Sequence, residues 1–417
     1  MTAARSVGHH VVVRPPSRSA LSAFVVALAL LAGCTGSGED ESSAAEPTTT
    51  TAPSTTTTTE VVPGDDWQQV DAEQAGLDPA VLDELAAAAE AAGSTCLVVT
   101  RDGELVQEWY WNGGTPDGPR EAYSVSKSVT SALVGIASDD GDLSVEDPAS
   151  ETITEWVGTP SESVTIEHLL SNDSGRHHDL ATDYVEMAMR SPDKTAFSIG
   201  LGQDAPPGTT WAYNNAAIQT LDRVISTSTG QDAADYAAER LFGPLGMADS
   251  SIRRDAAGNS LTFMGVQSTC RDLARFGTLM LRDGRWGDEQ IVSEEWVEAS
   301  TGSSSQDMNA AYGWLWWLNR PGPVLGAVQA SGGVGVEPRE QLVPGAPDDM
   351  FFALGFGGQT IAVDPGSRTV VTRMGPAGSI TEQASGEGPE FGAEQAAIVA
   401  IDVAIDGVVG EGAAPGD

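Results

Sequence analysis

Lysine is almost missing from this 417-residue chain: Lys127 and Lys194 stand against nineteen arginines. Basic residues of either kind are scarce, 21 against 60 acidic ones, for a formal net charge of −39. A field of that sign repels phosphate backbones and anionic headgroups, which excludes a nucleic-acid partner and disfavours polyanionic substrates. Long apolar runs are also lacking. The longest charge-free one, residues 20–32 ("ALSAFVVALALLA"), falls short of the ~20 residues a membrane-spanning helix needs. No G-x-S-x-G is present, which removes the α/β-hydrolase arrangement of a serine nucleophile. No H-E-x-x-H is present either, and that zinc site goes with it.

The two ends of the chain differ in kind from its middle. Residues 1–19 carry Arg5, Arg14 and Arg18 and no acid, and the apolar run that follows ends in "LAGC" at residues 31–34. A basic stretch, a short apolar stretch and small residues read as an export signal over residues 1–33. "LAGC" resembles the bacterial lipobox, which implies a diacylated Cys34 as the mature N-terminus and an anchor in the outer face of the membrane bilayer. Residues 34–66, rich in Thr, Ser and Pro, have no apolar periodicity and cannot bury a core. They read as a tether with a reach of ~100 Å at ~3.3 Å per residue. Residues 67–417 remain as one folded domain. Two further cysteines, Cys96 and Cys270, lie in apolar segments, where a disulfide in an exported protein and two buried thiols are both consistent with the sequence.

Within the folded part, "DPAVLDELAAAAEAAG" at residues 78–93 predicts a helix, with Asp78 as N-cap, Pro79 in the first turn and Gly93 as the stop. "TCLVVTRDGELVQEWYW" predicts two strands turning at Arg101, Asp102 and Gly103. A helix follows, with Val125, Val129, Leu133 and Ile136 at helical spacing and Gly141 closing it. A mostly helical region spans roughly residues 140–340, then strands return in "MFFALGF", "QTIAVDP" and "RTVVTRMG", and an apolar helix is expected over residues 394–409. Helix, strands, helical block, strands and helix predict an α+β fold, an antiparallel sheet flanked by terminal helices with a helical subdomain beside it.

The scarcity of lysine gives weight to "SVSKS". Ser124 falls at the head of the predicted helix and Lys127 one turn on, facing the same way. A serine nucleophile needs a base, and an amine serves if it is unprotonated. Lowering a pKa from ~10.4 to ~7 corresponds to ~4.6 kcal/mol and requires burial or a cationic neighbour. An arginine cannot do this. The other lysine also follows a serine by three, in "SPDK", but Pro192, Asp193 and the lack of a following apolar helix make Ser191 and Lys194 a polar loop. Tyr213 and Asn215 in "WAYNNAAIQTL" form a YxN before another apolar helix. A tyrosine beside a lysine can share general-base work, and Asn215 can orient the lysine and the substrate. The glycine-rich "FALGFGGQTIAVDP" offers a strand edge where a ligand approaches backbone at Gly355 and Gly357, and the Phe356 N–H would join that of Ser124 in an oxyanion hole.

SxxK, YxN and a glycine-rich strand in that order resemble the serine β-lactamase and penicillin-binding superfamily. The likeness is to its class C-like branch of esterases, D-aminopeptidases and 6-aminohexanoate-oligomer hydrolases, supported by "VTIEHLLSNDSG", "STCRDLARFGTLMLRDGRWGDEQIVSEEWV" and "YGWLWW". It covers roughly residues 71–410. The resemblance implies that Ser124 is acylated, Lys127 and Tyr213 share the acid/base work, Asn215 assists, and Ser124 and Phe356 supply the oxyanion N–H groups. It implies no cofactor. The third motif departs from K-T-G: Ala353, Leu354 and Gly355 stand there, with neither cation nor hydroxyl. A substrate carboxylate therefore lacks its usual holder, and small neutral esters or amides fit better, with Trp211, Trp314, Trp316 and Trp317 as candidates to line an apolar cleft.

Three other readings compete. His177, His178, Asp179 and Asp183 in "GRHHDLATDY" form a possible metal cluster, but adjacent histidines project apart, and a solvated loop is the expectation. A surface lipoprotein that keeps the scaffold as a binding module would not require Ser124, Lys127, Tyr213 and Asn215 together. A penicillin-recognising carboxypeptidase or β-lactamase is disfavoured by the absent lysine.

Overall fold

The structure, a computed structural model, describes residues 61–64, 66–327 and 340–376. The export signal, Cys34 and the predicted helix at 394–409 lie outside the described residues. Six strands form the main sheet: β1 (Cys96–Arg101), β2 (Glu104–Tyr110), β3 (Trp317–Leu318), β4 (Phe351–Gly355), β5 (Gln359–Asp364) and β6 (Thr369–Met374). They lie in the order β2-β1-β6-β5-β4-β3, all antiparallel, so the first and last of these strands in the chain pair with each other inside the sheet. The β1–β2 turn puts Asp102 at φ 53 and Gly103 at φ 84, the two left-handed residues of a tight hairpin that matches strand twist.

Every residue of β5 and β6 is buried. Both faces of the sheet are therefore covered at these strands, and the burial takes in Thr360, Asp364, Thr372 and Arg373 as well as the apolar side chains. Helix α1 (Pro79–Ala91) opens the domain; Asp78 caps it by accepting from the Ala80 N–H at 2.8 Å, and Gly93 turns left-handed at φ 76. Helix α2 (Val125–Asp139) buries almost its whole length. The apolar helix expected after the YxN is two, α3 (Asn215–Gln219) and Leu221–Thr229. Helix α4 (Cys270–Leu281) lies against the sheet so closely that a Cβ on Gly277 would sit 2.6 Å from Val370 Cγ1.

Cys96 on β1 and Cys270 at the start of α4 form a disulfide, which resolves the alternative the sequence left open. Val61 O and Gly64 O accept from the Arg282 and Arg275 Nη2 groups, each at 2.6 Å, and this backbone is held by the arginines of α4 and its C-cap.

Candidate active site

Ser124 sits at the N-cap of α2, where a helix presents unsatisfied N–H groups and its positive dipole end. Tyr123 before it is held at φ 47, a left-handed conformation that costs a non-glycine residue about 1–2 kcal/mol. The chain thus turns sharply between β-type backbone and helix, and the serine stands at the corner. Ser124 is half-buried, while Lys127, Tyr213 and Asn215 are buried.

One helical turn brings Lys127 Nζ to the serine, and it donates to Ser124 Oγ at 2.9 Å and to Phe263 O at 2.9 Å. With 1% of its surface exposed, this lysine ranks among the largest fully buried side chains. Its ammonium nitrogen lies 4.7 Å from the Tyr213 ring centroid. Tyr213 is itself stacked on Trp317 at 5.6 Å and meets Tyr312 edge-on at 6.0 Å; Trp211 packs edge-on against Tyr312 and Trp317. Of the four tryptophans read as cleft candidates, Trp211 and Trp317 join the Tyr213 cluster. Trp316 stacks on Phe276 and Trp314 packs on Trp296, both in the core.

The glycine-rich strand arrives where it was expected. β3 pairs with β4 only at Phe351 and Phe352, so beyond them β4 is paired on one edge alone, with β5 as far as Gly355, where it meets the head of α2. A Cβ on Gly355 would lie 2.5 Å from Ala122 O and 3.2 Å from the Ser124 N, so glycine is required there for the strand to touch the Ser124 backbone. At Gly357 the missing Cβ makes room for Pro376 O, 2.5 Å away, and not for a ligand. Its glycine is a demand of the turn.

Asn215, the first residue of α3, is anchored to a buried carboxylate. Its Nδ2 donates to Asp183 Oδ2 at 2.6 Å, and the N–H groups of Asn215 and Ala216 reach the same carboxylate at 3.3 Å and 2.7 Å. That bond uses one of the two Nδ2 hydrogens, which leaves the second hydrogen and Oδ1 to face other groups. Asp183 is the residue sequence reasoning missed. It was weighed only as a metal ligand, and no pattern in the sequence ties it to a helix 32 positions on. Burial raises its pKa, and the N–H bonds and nearby His178 oppose that rise. Asp183→Ala removes the acceptor for three buried donors and is expected to cost about 3 kcal/mol in urea unfolding, with Tyr213, two residues before α3, loosened as a consequence.

The adjacent histidines do project apart. His177 bonds Asp204 through Nδ1 at 2.9 Å and Asp179 through Nε2 at 3.0 Å, whereas His178 lies near Asp183. No group of three or more metal-ligating side chains occurs among the described residues. At the second SxxK, Lys194 Nζ donates to the Ser191 carbonyl and Ser191 Oγ to the Asp193 carbonyl, so that serine and amine do not engage each other.

Comparison with known proteins agrees with this geometry. The Beta-lactamase family model matches residues 80–375. A 6-aminohexanoate-dimer hydrolase of Paenarthrobacter ureafaciens is 26% identical over 277 residues, covering 59% of this chain and 70% of that protein. The penicillin-binding protein 4 of Amycolatopsis lactamdurans is 32% identical over 143 residues, 33% of this chain and 36% of its own length. Among solved structures, a Bacillus anthracis protein assigned as a 6-aminohexanoate-dimer hydrolase superposes with a TM-score of 0.59 at 23% identity, covering 78% of this chain and 81% of its own.

Proposed function

The chain belongs to the beta-lactamase family, and from that premise we propose that it is a serine hydrolase working through an acyl-enzyme at Ser124 on small neutral esters or amides. The observation that carries this is the contact of a buried amine with the serine, Lys127 Nζ to Ser124 Oγ at 2.9 Å. The scaffold alone does not need a lysine in that place, and a chain with two lysines has put one there.

In the proposed cycle Ser124 Oγ attacks the substrate carbonyl while its proton passes to the Lys127–Tyr213 pair. The tetrahedral oxyanion is received by the N–H groups of Ser124 and Phe356. The pair then protonates the leaving alcohol or amine as the carbonyl–leaving-group bond breaks, and water hydrolyses the acyl-serine by the reverse proton route. Ala353, Leu354 and Gly355 offer no cation to a substrate carboxylate, and the aromatic wall of Trp211, Tyr312 and Trp317 favours an apolar acyl or amine chain. Amides of the type named for the Paenarthrobacter relative are the natural class to try after simple esters. We also propose export and anchoring through Cys34. The Cys96–Cys270 bond supports this, because such bonds persist in oxidising compartments.

The test is a short-chain nitrophenyl ester with intact-mass detection of the adduct. A product burst and an acyl adduct, both lost in Ser124→Ala, are the expected result. Folded protein that gives no adduct with esters, amides or β-lactams would leave a binding module. Stable labelling by a fluorescent penicillin would instead place it with the penicillin-recognising enzymes.

A further inference from the structure

Between Gly355 and Gln359 the chain turns through Phe356, Gly357 and Gly358, with both glycines at φ +75. Two consecutive glycines in the left-handed region make a pliable turn when nothing holds it. This one is held from behind. Gln359, 2% exposed, accepts from the Gly375 N–H through Oε1 at 2.9 Å and donates from Nε2 to Phe356 O at 3.0 Å. Both ends of the amide are used, so its orientation is determined. Arg373 on β6, 5% exposed, donates from Nη1 to Gly358 O at 2.9 Å, from Nε to Ser94 Oγ at 2.6 Å and from Nη2 to Ala92 O at 3.2 Å. The carbonyls on either side of Gly357 are therefore both fixed by buried donors. On the other side of Phe356, Gly355 is fixed by its pairing with Gln359 and by its contact with the Ser124 backbone. The Phe356 N–H is thus set between two immobilised peptide planes.

The cation is the unusual part. All three of its acceptors are neutral oxygens, and no carboxylate pairs with Arg373 among the described residues. Burial draws its pKa below the ordinary arginine range. A buried unpaired charge is costly, and an apolar side chain would fill the same space more cheaply. Its charge lies within one hydrogen bond of the turn where the acyl-transfer oxyanion would form.

We infer that Gln359 and Arg373 are positioning residues for the reaction at Ser124: they clamp the 356–358 turn so that the Phe356 N–H is aimed at the oxyanion, and Arg373 adds fixed positive charge behind it. This rests on the acyl-enzyme reading. The experiment compares Gln359→Met, Arg373→Met and Arg373→Lys in the full chain, reading the acylation rate and KM with a nitrophenyl ester and the inhibition constant of phenylboronic acid. The tetrahedral boronate on serine puts an oxygen where the oxyanion sits, so it reports transition-state binding apart from substrate binding. Both Met variants are expected to lose about 10- to 100-fold in acylation and in boronate affinity together, with KM within about threefold. Arg373→Lys, which keeps charge but loses the planar fork, is expected to fall between them and the parent. Folded variants that melt earlier yet acylate and bind boronate like the parent would assign the two residues to stability alone and overturn the inference. If the Met variants do not fold, unchanged kinetics in Arg373→Lys does the same. An absent adduct in the unsubstituted protein would instead remove the acyl-enzyme reading itself, a result separable from a parent that acylates and variants that match it.

Discussion

Lys127→Arg is expected to lower the acylation rate by about 10³-fold or more, although it keeps nitrogen donors in the site. The side chain is 1% exposed and its nitrogen donates to both Ser124 Oγ and Phe263 O, so a guanidinium could replace some of these bonds. What it cannot do is take a proton, because arginine stays charged at any working pH. It is also bulkier, in a site bounded by the Tyr213 and Phe263 rings at 4.7 Å and 5.8 Å from the amine. Lys127→Met separates the two effects. It removes the amine with little change of volume and introduces no charge, and an equal loss of rate in both variants would identify the missing proton acceptor as the cause. Tyr213→Phe is the control for the shared role. If Lys127 and Tyr213 act as one unit, the double variant Lys127→Met/Tyr213→Phe will be little worse than Lys127→Met, since removing either member disables the pair. An additive double variant would mean two independent contributions. Stopped-flow burst rates, with circular dichroism to confirm folding, decide between them.

How much of this site could be read from residues alone depended on whether the relation was local. Ser124 and Lys127 are one helical turn apart, so their contact follows from helix geometry and the sequence was sufficient. The hairpin at Asp102 and Gly103, the cap at Asp78 and the three late strands were legible for the same reason, each being written in a few adjacent residues. Relations between distant segments were not. Asn215 completes the YxN, and one hydrogen of its amide bonds Asp183 from another helix, a partner no periodicity reveals. Trp314, Trp316 and Trp317 are nearly consecutive, yet only Trp317 reaches Tyr213; the chain turns at Leu315, which sits at φ 61, and sends its neighbours into the core. Gly355 and Gly357 looked alike in sequence as openings for a ligand. One is small because the Ser124 backbone is there, and the other because Pro376 is.

Removing the disulfide by Cys96→Ser/Cys270→Ser is expected to cost about 5 kcal/mol of stability on the chain-entropy account, because the bond closes a separation of 174 residues. Its placement makes that loss global. β1 lies inside the sheet between β2 and β6, and α4 is the helix that packs on Val370 and Ile361, so the bond joins an interior strand to the sheet's covering layer. Neither cysteine touches the serine, and the folded fraction of the variant should keep its acylation rate within about twofold, as expected for a change that acts largely through the unfolded state. Urea unfolding with and without reductant measures the cost, and the burst assay at low urea measures the rate. A shift much smaller than this would mean that the denatured chain already holds β1 and α4 together, which leaves the bond little entropy to remove. The size of the shift also bears on where the protein matures. A domain that depends on this bond must fold where thiols are oxidised, so a large loss joins the fold to the export signal read around Arg5, Arg14 and Cys34, and a negligible one leaves that signal standing on sequence alone.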